Sequence, residues 1–188
     1  MLTFTSGDMF AAPADIRVNT VNCVGVMGAG MALAFKTRYP EMFKEYLAEC
    51  RRGAIQPGKL HVWKNLFGAW VVSFPTKRHW REKSRYDDID AGLVGLRQYL
   101  QDYPGLRVAL PALGCGHGGL EWSQVSEMIK CHLADLATDI WVYSPSDSRK
   151  PPQPRQPTEA TQLNPHPPKW AGDPSSHNDF PDRPVRTA

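Results

Sequence analysis

The sequence predicts an α/β fold with a largely parallel central sheet. Two observations carry that prediction. Short runs rich in β-branched and aromatic residues alternate with stretches whose apolar residues recur every three or four positions. Two of the short runs also lead through a glycine-rich loop directly into a helical stretch, the unit from which parallel sheets are built.

In chain order, strands are expected at Leu2–Thr5, Ile16–Val21, Leu60–Trp63, Trp70–Phe74, Arg107–Leu110 and Asp139–Tyr143. The first helix spans Met31–Tyr39, after a glycine-rich turn. Pro40 suits the first position of a second helix, which runs through Cys50 and stops before Gly53. Ile89, Leu93, Leu96 and Leu100 form the apolar stripe of a third helix, with Ser84 and Asp87 upstream as a capping box. Val125, Ile129, Leu133 and Leu136 form the stripe of a fourth, which begins near Glu121. Pro57-Gly58 reads as a turn.

The chain has 188 residues, 41% of them hydrophobic and 22% charged, with net charge +3, as in a soluble globular protein. Ten of its 17 prolines fall in residues 151–188, where no hydrophobic period survives. The expectation is one domain over residues 1–147 and a disordered Pro-rich tail over 148–188, which buries too little apolar surface to offset its ordering entropy. No leader or membrane-spanning run is read from the sequence, which places the chain in the cytoplasm. Cys23, Cys50, Cys115 and Cys131 lie far apart without C-x-x-C spacing, so reduced thiols are expected and no metal site.

Three chemistries fail at named residues. Gly25, Gly28 and Gly30 reverse the order of the dinucleotide fingerprint. Gly53–Lys59 follows most of a phosphate-binding P-loop, but Leu60 stands where Ser or Thr must reach magnesium. No G-x-S-x-G elbow is present, and Cys115 reads as a small packed thiol under a loop, not a nucleophile.

What remains is anion chemistry. Ile16–Val21 runs into Asn22–Gly30, and Val108–Leu110 runs into Pro111–Gly119, each loop followed by a helix. Such units present backbone N–H groups and a helix N-terminus to an anion, and two of them can enclose a diphosphate. Between them, Lys77, Arg78, Arg81, Lys83 and Arg85 lie within nine residues, opposed by Glu82 alone and interleaved with His79, Trp80 and Tyr86. Cations set among flat rings suit phosphates and unstacked bases, though a solvated charged loop has the same composition.

Gly7-Asp8, Val18-Asn19-Thr20-Val21-Asn22, Gly28-Ala29-Gly30 and Pro111–Gly116 occur in the order in which they stand in macrodomains, and residues 1–145 resemble that family. Phe74-Pro75-Thr76-Lys77 and Gly118–Trp122 look like the branch of DNA ADP-ribosyl glycohydrolase antitoxins of DarT–DarG systems, which is related to the terminal ADP-ribose hydrolases. The resemblance implies a three-layer α/β/α sandwich with a mixed, largely parallel sheet. It implies an ADP-ribosyl glycohydrolase without cofactor or metal, acting on ADP-ribosylated bases (thymidine first) of single-stranded DNA. A monomer is implied too, with a DNA ADP-ribosyltransferase toxin as possible partner. Rival readings are a non-catalytic ADP-ribose-binding module and an ester hydrolase acting on ADP-ribosylated protein or O-acetyl-ADP-ribose.

Carried over by residue, Asp8 would accept from the adenine amine beside Met9, and Asn22 would bond the distal ribose. Gly28, Ala29, Gly30 and Met31 would line one side of the diphosphate, and Gly114, Cys115, Gly116, His117 and Gly118 the other. Lys77 stands at the catalytic lysine of the branch, and Arg78, His79, Trp80, Arg81 and Arg85 would touch DNA. Gly118 stands where the terminal ADP-ribose hydrolases have an aspartate, as in the antitoxin branch. His117 replaces a bulky apolar residue.

Overall fold

Among the described residues, six strands, β1 Leu2–Thr5, β2 Ile16–Asn22, β3 His61–Lys64, β4 Trp70–Lys77, β5 Val108–Pro111 and β6 Ile140–Tyr143, form one sheet in the order β1-β6-β5-β2-β4-β3. The computed structural model describes residues 1–66 and 68–145. The expected boundary at 147 and the Pro-rich segment beyond it lie outside the described residues. Five strands run parallel; β3 alone pairs antiparallel, as an edge beside β4. The sequence pattern places β3 but contains nothing that sets its direction.

Helices cover both faces. Against one face lie α1 Gly30–Arg38 and α2 Pro40–Arg51, whose Phe35, Met42 and Tyr46 pack with Met9, Val21, Met27 and Val71. Against the other lie α3 Tyr86–Asp102 and α4 Trp122–Leu133, whose Ile89, Leu93, Leu96, Val125 and Ile129 pack on Val18, Val72, Phe74, Val108 and Leu110. Alternate strand residues feed opposite cores, the two-fold period of a sheet buried on both sides. The result is the expected three-layer sandwich.

One local reading is corrected. Ser84 and Asp87 do not form a capping box: α3 starts at Tyr86 with Arg85 at its cap position and no side-chain cap bond. The Ser84 amide donates instead to the Gly118 carbonyl at 3.0 Å. A tertiary contact across the site takes the group that local capping would have used.

At the opposite end of the sheet, Asp15 and Arg107 tie the starts of β2 and β5 together. The Arg107 side chain donates to both carboxylate oxygens, at 3.0 and 2.9 Å, and its amide adds a bond at 2.9 Å. These bonds hold the Asp15 carboxyl down from the ordinary 3.8 to about 2. Native Asp15 therefore binds fewer protons than the unfolded chain between those two values, so its share of stability is lost as pH falls through that window. Asp15→Asn is expected to flatten part of the decline in urea midpoint between pH 4 and pH 2; an unchanged decline would remove this pair from the acid response.

Candidate functional site

The chain leaves β2 toward α1 on one face of the sheet and leaves β5 toward α4 on the other. Adjacent parallel strands whose connections part in this way leave a crevice at their carboxyl ends, where ligands bind in open α/β sheets. The ladder between β2 and β5 widens that opening. It pairs Ile16 with Val108 and Arg17 with Ala109 and goes no further, although β2 continues to Asn22 and β5 to Pro111.

The first loop is organised from within by Asn22. Its Oδ1 accepts from the amides of Val24 and Val26, at 3.1 and 3.2 Å, and its Nδ2 donates to the Val26 carbonyl at 2.6 Å. The buried Tyr46 hydroxyl donates to the Asn22 carbonyl at 2.6 Å, and burial pushes that phenol well above its usual range. Asn22, which the resemblance assigns to the distal ribose, is buried here and its side chain bonds its own loop. Tyr46 is a supporting residue that sequence reading missed, because on α2 it reads as one more apolar-face residue.

The loop ends in an open helix terminus. Ala29 stands at the cap position of α1 with extended backbone and no side-chain cap bond. Among the described residues, the amides of Gly28, Ala29 and Gly30 donate to no acceptor within the chain. The second loop repeats this: the amides of Gly116, His117 and Gly118 are also without an internal acceptor, while Gly119 and Leu120 fold back onto Gly116 and Gly114. The loops approach at one point, where the His117 ring lies 3.3 Å from a methyl built on Gly30. Met31 and Cys115 are half-buried behind them. Burial pushes the Cys115 thiol up to about 11, which disfavours the thiolate a nucleophile requires.

The glycines divide into two kinds. At Gly118 a methyl would lie 2.2 Å from the Gly114 carbonyl oxygen and 2.3 Å from the Ser84 hydroxyl, so the fold admits no side chain there. An aspartate side chain at this position has no room. At Gly116 a methyl would meet nothing within 4 Å, and at Gly28 only Val26 Cγ1 at 3.9 Å; neither has positive φ. The chain's own packing does not require glycine at 28 or 116.

Asp8 lies at the flank. It caps a 3-10 turn, Met9–Ala11, by accepting from the Phe10 amide at 2.9 Å, and its carboxylate is exposed. Met9 is buried, 1% exposed, so its side chain belongs to the core. Arg17 fixes the turn through the carbonyls of Phe10 and Ala12, and Phe10 packs on Phe35 of α1 at 4.8 Å between ring centres.

Lys77 closes the third side. Val21 pairs with Pro75 and Asn22 with Lys77, so Thr76 is an extra residue that bulges β4 and re-aims the lysine. Its Nζ donates to the His117 carbonyl at 2.8 Å and lies 3.5 Å from the Trp80 carbonyl. Partial burial, and then the nearby Lys83 ammonium, hold the amine below the ordinary lysine range.

Arg78, expected as a DNA contact, is exposed but has a partner within the chain. Its guanidinium clamps the buried Asp88 at 2.9 and 3.2 Å, and its carbonyl accepts from the Cys23 amide at 3.3 Å. An exposed cation committed to a buried carboxylate positions the loop between α3 and the first glycine loop. Of the other four expected DNA contacts, Trp80, Arg81 and Arg85 are exposed and His79 is half-buried. Trp80 is 44% exposed, with His79 packed beside it at 5.7 Å and the Arg81 guanidinium 4.6 Å from its ring centre. Arg85 is exposed at the start of α3.

Comparison with known proteins follows the same geometry. The Macro domain family model matches residues 18–129. The DNA ADP-ribosyl glycohydrolase of Mycobacterium tuberculosis is 45% identical over 150 residues, covering 78% of this chain; the chain spans 43% of the length of that curated relative. The solved macrodomain of Thermus aquaticus DarG is 40% identical with a TM-score of 0.73, covering 77% of this chain and 99% of its own. Thermosipho africanus DarTG, solved in complex with ADP-ribose, is 33% identical with a TM-score of 0.74, covering 80% of this chain and 43% of its own.

Proposed function

The chain belongs to the Macro domain family, and from that premise we propose that it is a glycohydrolase that removes ADP-ribose from modified bases of single-stranded DNA. The observation that carries this reading is the pair of unpaired amide runs, Gly28–Gly30 and Gly116–Gly118, on the two loops that converge at His117. Six N–H groups without acceptors suit a diphosphate, which brings several anionic oxygens into a small volume. The open carboxylate of Asp8 is suited to the adenine amine.

Scission of a base–ribose bond develops oxocarbenium character on the sugar and negative charge on the departing base. Lys77 is the cation suited to that charge, and the His79–Trp80–Arg81 stack beside it is suited to an unpaired base and its phosphates. The substrate would be supplied by a DNA ADP-ribosyltransferase, which makes this chain's role the reversal of that mark.

The test is release of ADP-ribose, followed by chromatography, from an ADP-ribosylated single-stranded oligonucleotide, an ADP-ribosylated protein and O-acetyl-ADP-ribose. Release from the oligonucleotide at least tenfold faster than from the others is expected. Binding without release would make the chain a reader module, and release from the esters alone would make it an ester hydrolase.

A further inference from the structure

Lys83 lies outside the set of contacts inferred from the sequence, yet it is held against the site by its neighbour. The Ser84 amide donates to the Gly118 carbonyl at 3.0 Å, which pins residues 83 and 84 to the second glycine loop. From there the Lys83 side chain lies across Gly119: a methyl built on that glycine would be 3.0 Å from Nζ and 3.3 Å from Cδ. Lys77 reaches the same three-residue segment from β4, through the His117 carbonyl at 2.8 Å. Two ammonium groups therefore stand on residues 117–119. Arg78 has its acid in Asp88, but Lys83 has none among the described residues. Its charge instead acts on Lys77 as an uncompensated repulsion.

We propose that Lys83 receives the phosphodiester of the DNA strand beside the modified base, where its side chain lies across Gly119. This rests on the functional reading above and adds a strand contact to it. An anion on Lys83 satisfies a cation that the fold leaves unpaired and offsets its repulsion of Lys77, so strand docking and the charge state of the lysine are physically linked. Phosphate from two sources fits such a site, the strand or the ADP-ribose itself, and measurement separates them.

The experiment compares the unsubstituted chain with Lys83→Gln and Lys83→Arg on an ADP-ribosylated oligonucleotide, ADP-ribosylated thymidine without flanking phosphates, and free ADP-ribose. Lys83→Gln is expected to raise KM for the oligonucleotide about tenfold at low salt, as for loss of one charge-assisted bond. It should leave kcat at the plateau of its pH profile within about twofold, and reduce the slope of log KM against log salt by about 0.7. Turnover of the nucleoside and affinity for ADP-ribose should stay within twofold, and Lys83→Arg should retain the slope. An equal loss of ADP-ribose affinity would assign Lys83 to the diphosphate and overturn the proposal, as would an unchanged KM and slope. The same affinities are titrated in a Lys77→Ala background. There, oligonucleotide binding that weakens with Lys83→Gln supports the contact even if the chain hydrolyses nothing, and an oligonucleotide bound no more tightly than ADP-ribose would overturn it.

Discussion

Gly116→Glu and Gly28→Glu should each abolish ADP-ribose binding in a protein that still melts at the unsubstituted temperature. The second half of that expectation makes the first informative. A methyl built at 116 meets nothing within 4 Å, and one at 28 meets only Val26 Cγ1 at 3.9 Å. Neither backbone needs a left-handed conformation, so neither substitution strains the chain. Exposed positions of this kind shift stability by about 0.5 kcal/mol, or roughly 2 °C in a domain of this size.

Binding is a different matter. A carboxylate among the unpaired amides occupies the volume of the diphosphate and repels it, with an energy on the order of 4 kcal/mol for unit charges ~4 Å apart at the protein surface. Calorimetric titration of ADP-ribose, expected to be micromolar for the unsubstituted chain, should show at least a hundredfold loss in each variant. Gly116→Ala, which adds volume and no charge, should lose less. Full affinity in both glutamate variants would mean that the anion does not sit between these loops, whatever the family of the fold.

The contrast between glycines shows how far the sequence could be read. Both glycine loops, and the six strands and four helices of the described residues, are visible in local pattern, because a two-fold or 3.6-fold apolar period is what a buried face imposes. The 3-10 turn Met9–Ala11 is three residues long and leaves no period, so it is absent from that reading. Which glycine the fold demands and which it merely tolerates is also invisible. Gly116 and Gly118 are two positions apart in the same run, yet only the second lies against Ser84, brought there from 34 positions upstream in sequence. Separation in sequence likewise hides Arg78's commitment to Asp88, Tyr46's grip on Asn22 and Lys77's bond to His117. The basic loop looked like five interchangeable cations. In the folded chain, one organises the loop, one faces the cleft and one lies across the second glycine loop, and long-range partners decide which is which.

Lys77→Ala should remove hydrolysis of ADP-ribosylated DNA by about a thousandfold, in the range for loss of a positioned acid or electrostatic group, and leave ADP-ribose affinity within about fivefold. The small effect on binding follows from what Lys77 touches. Its Nζ holds the His117 carbonyl at 2.8 Å, a hydrogen bond worth about 1 kcal/mol net, and losing it loosens one edge of the second loop. The unpaired amides and Asp8 remain and act equally on ground and transition states. Lys77→Arg should fail nearly as badly as alanine. The wider guanidinium cannot take the compact position between the His117 and Trp80 carbonyls, and it cannot give up a proton at accessible pH. The pH dependence then separates the two roles open to the amine. Burial and Lys83 hold it below the ordinary lysine range. If it works as an ammonium beside the departing base, activity falls as pH rises through that lowered value. If it works as a free amine that attacks the sugar, activity falls as pH drops below it. Substantial turnover of ADP-ribosylated oligonucleotide by Lys77→Arg, with salt-dependent KM, would sink both roles and make Lys77 a strand contact.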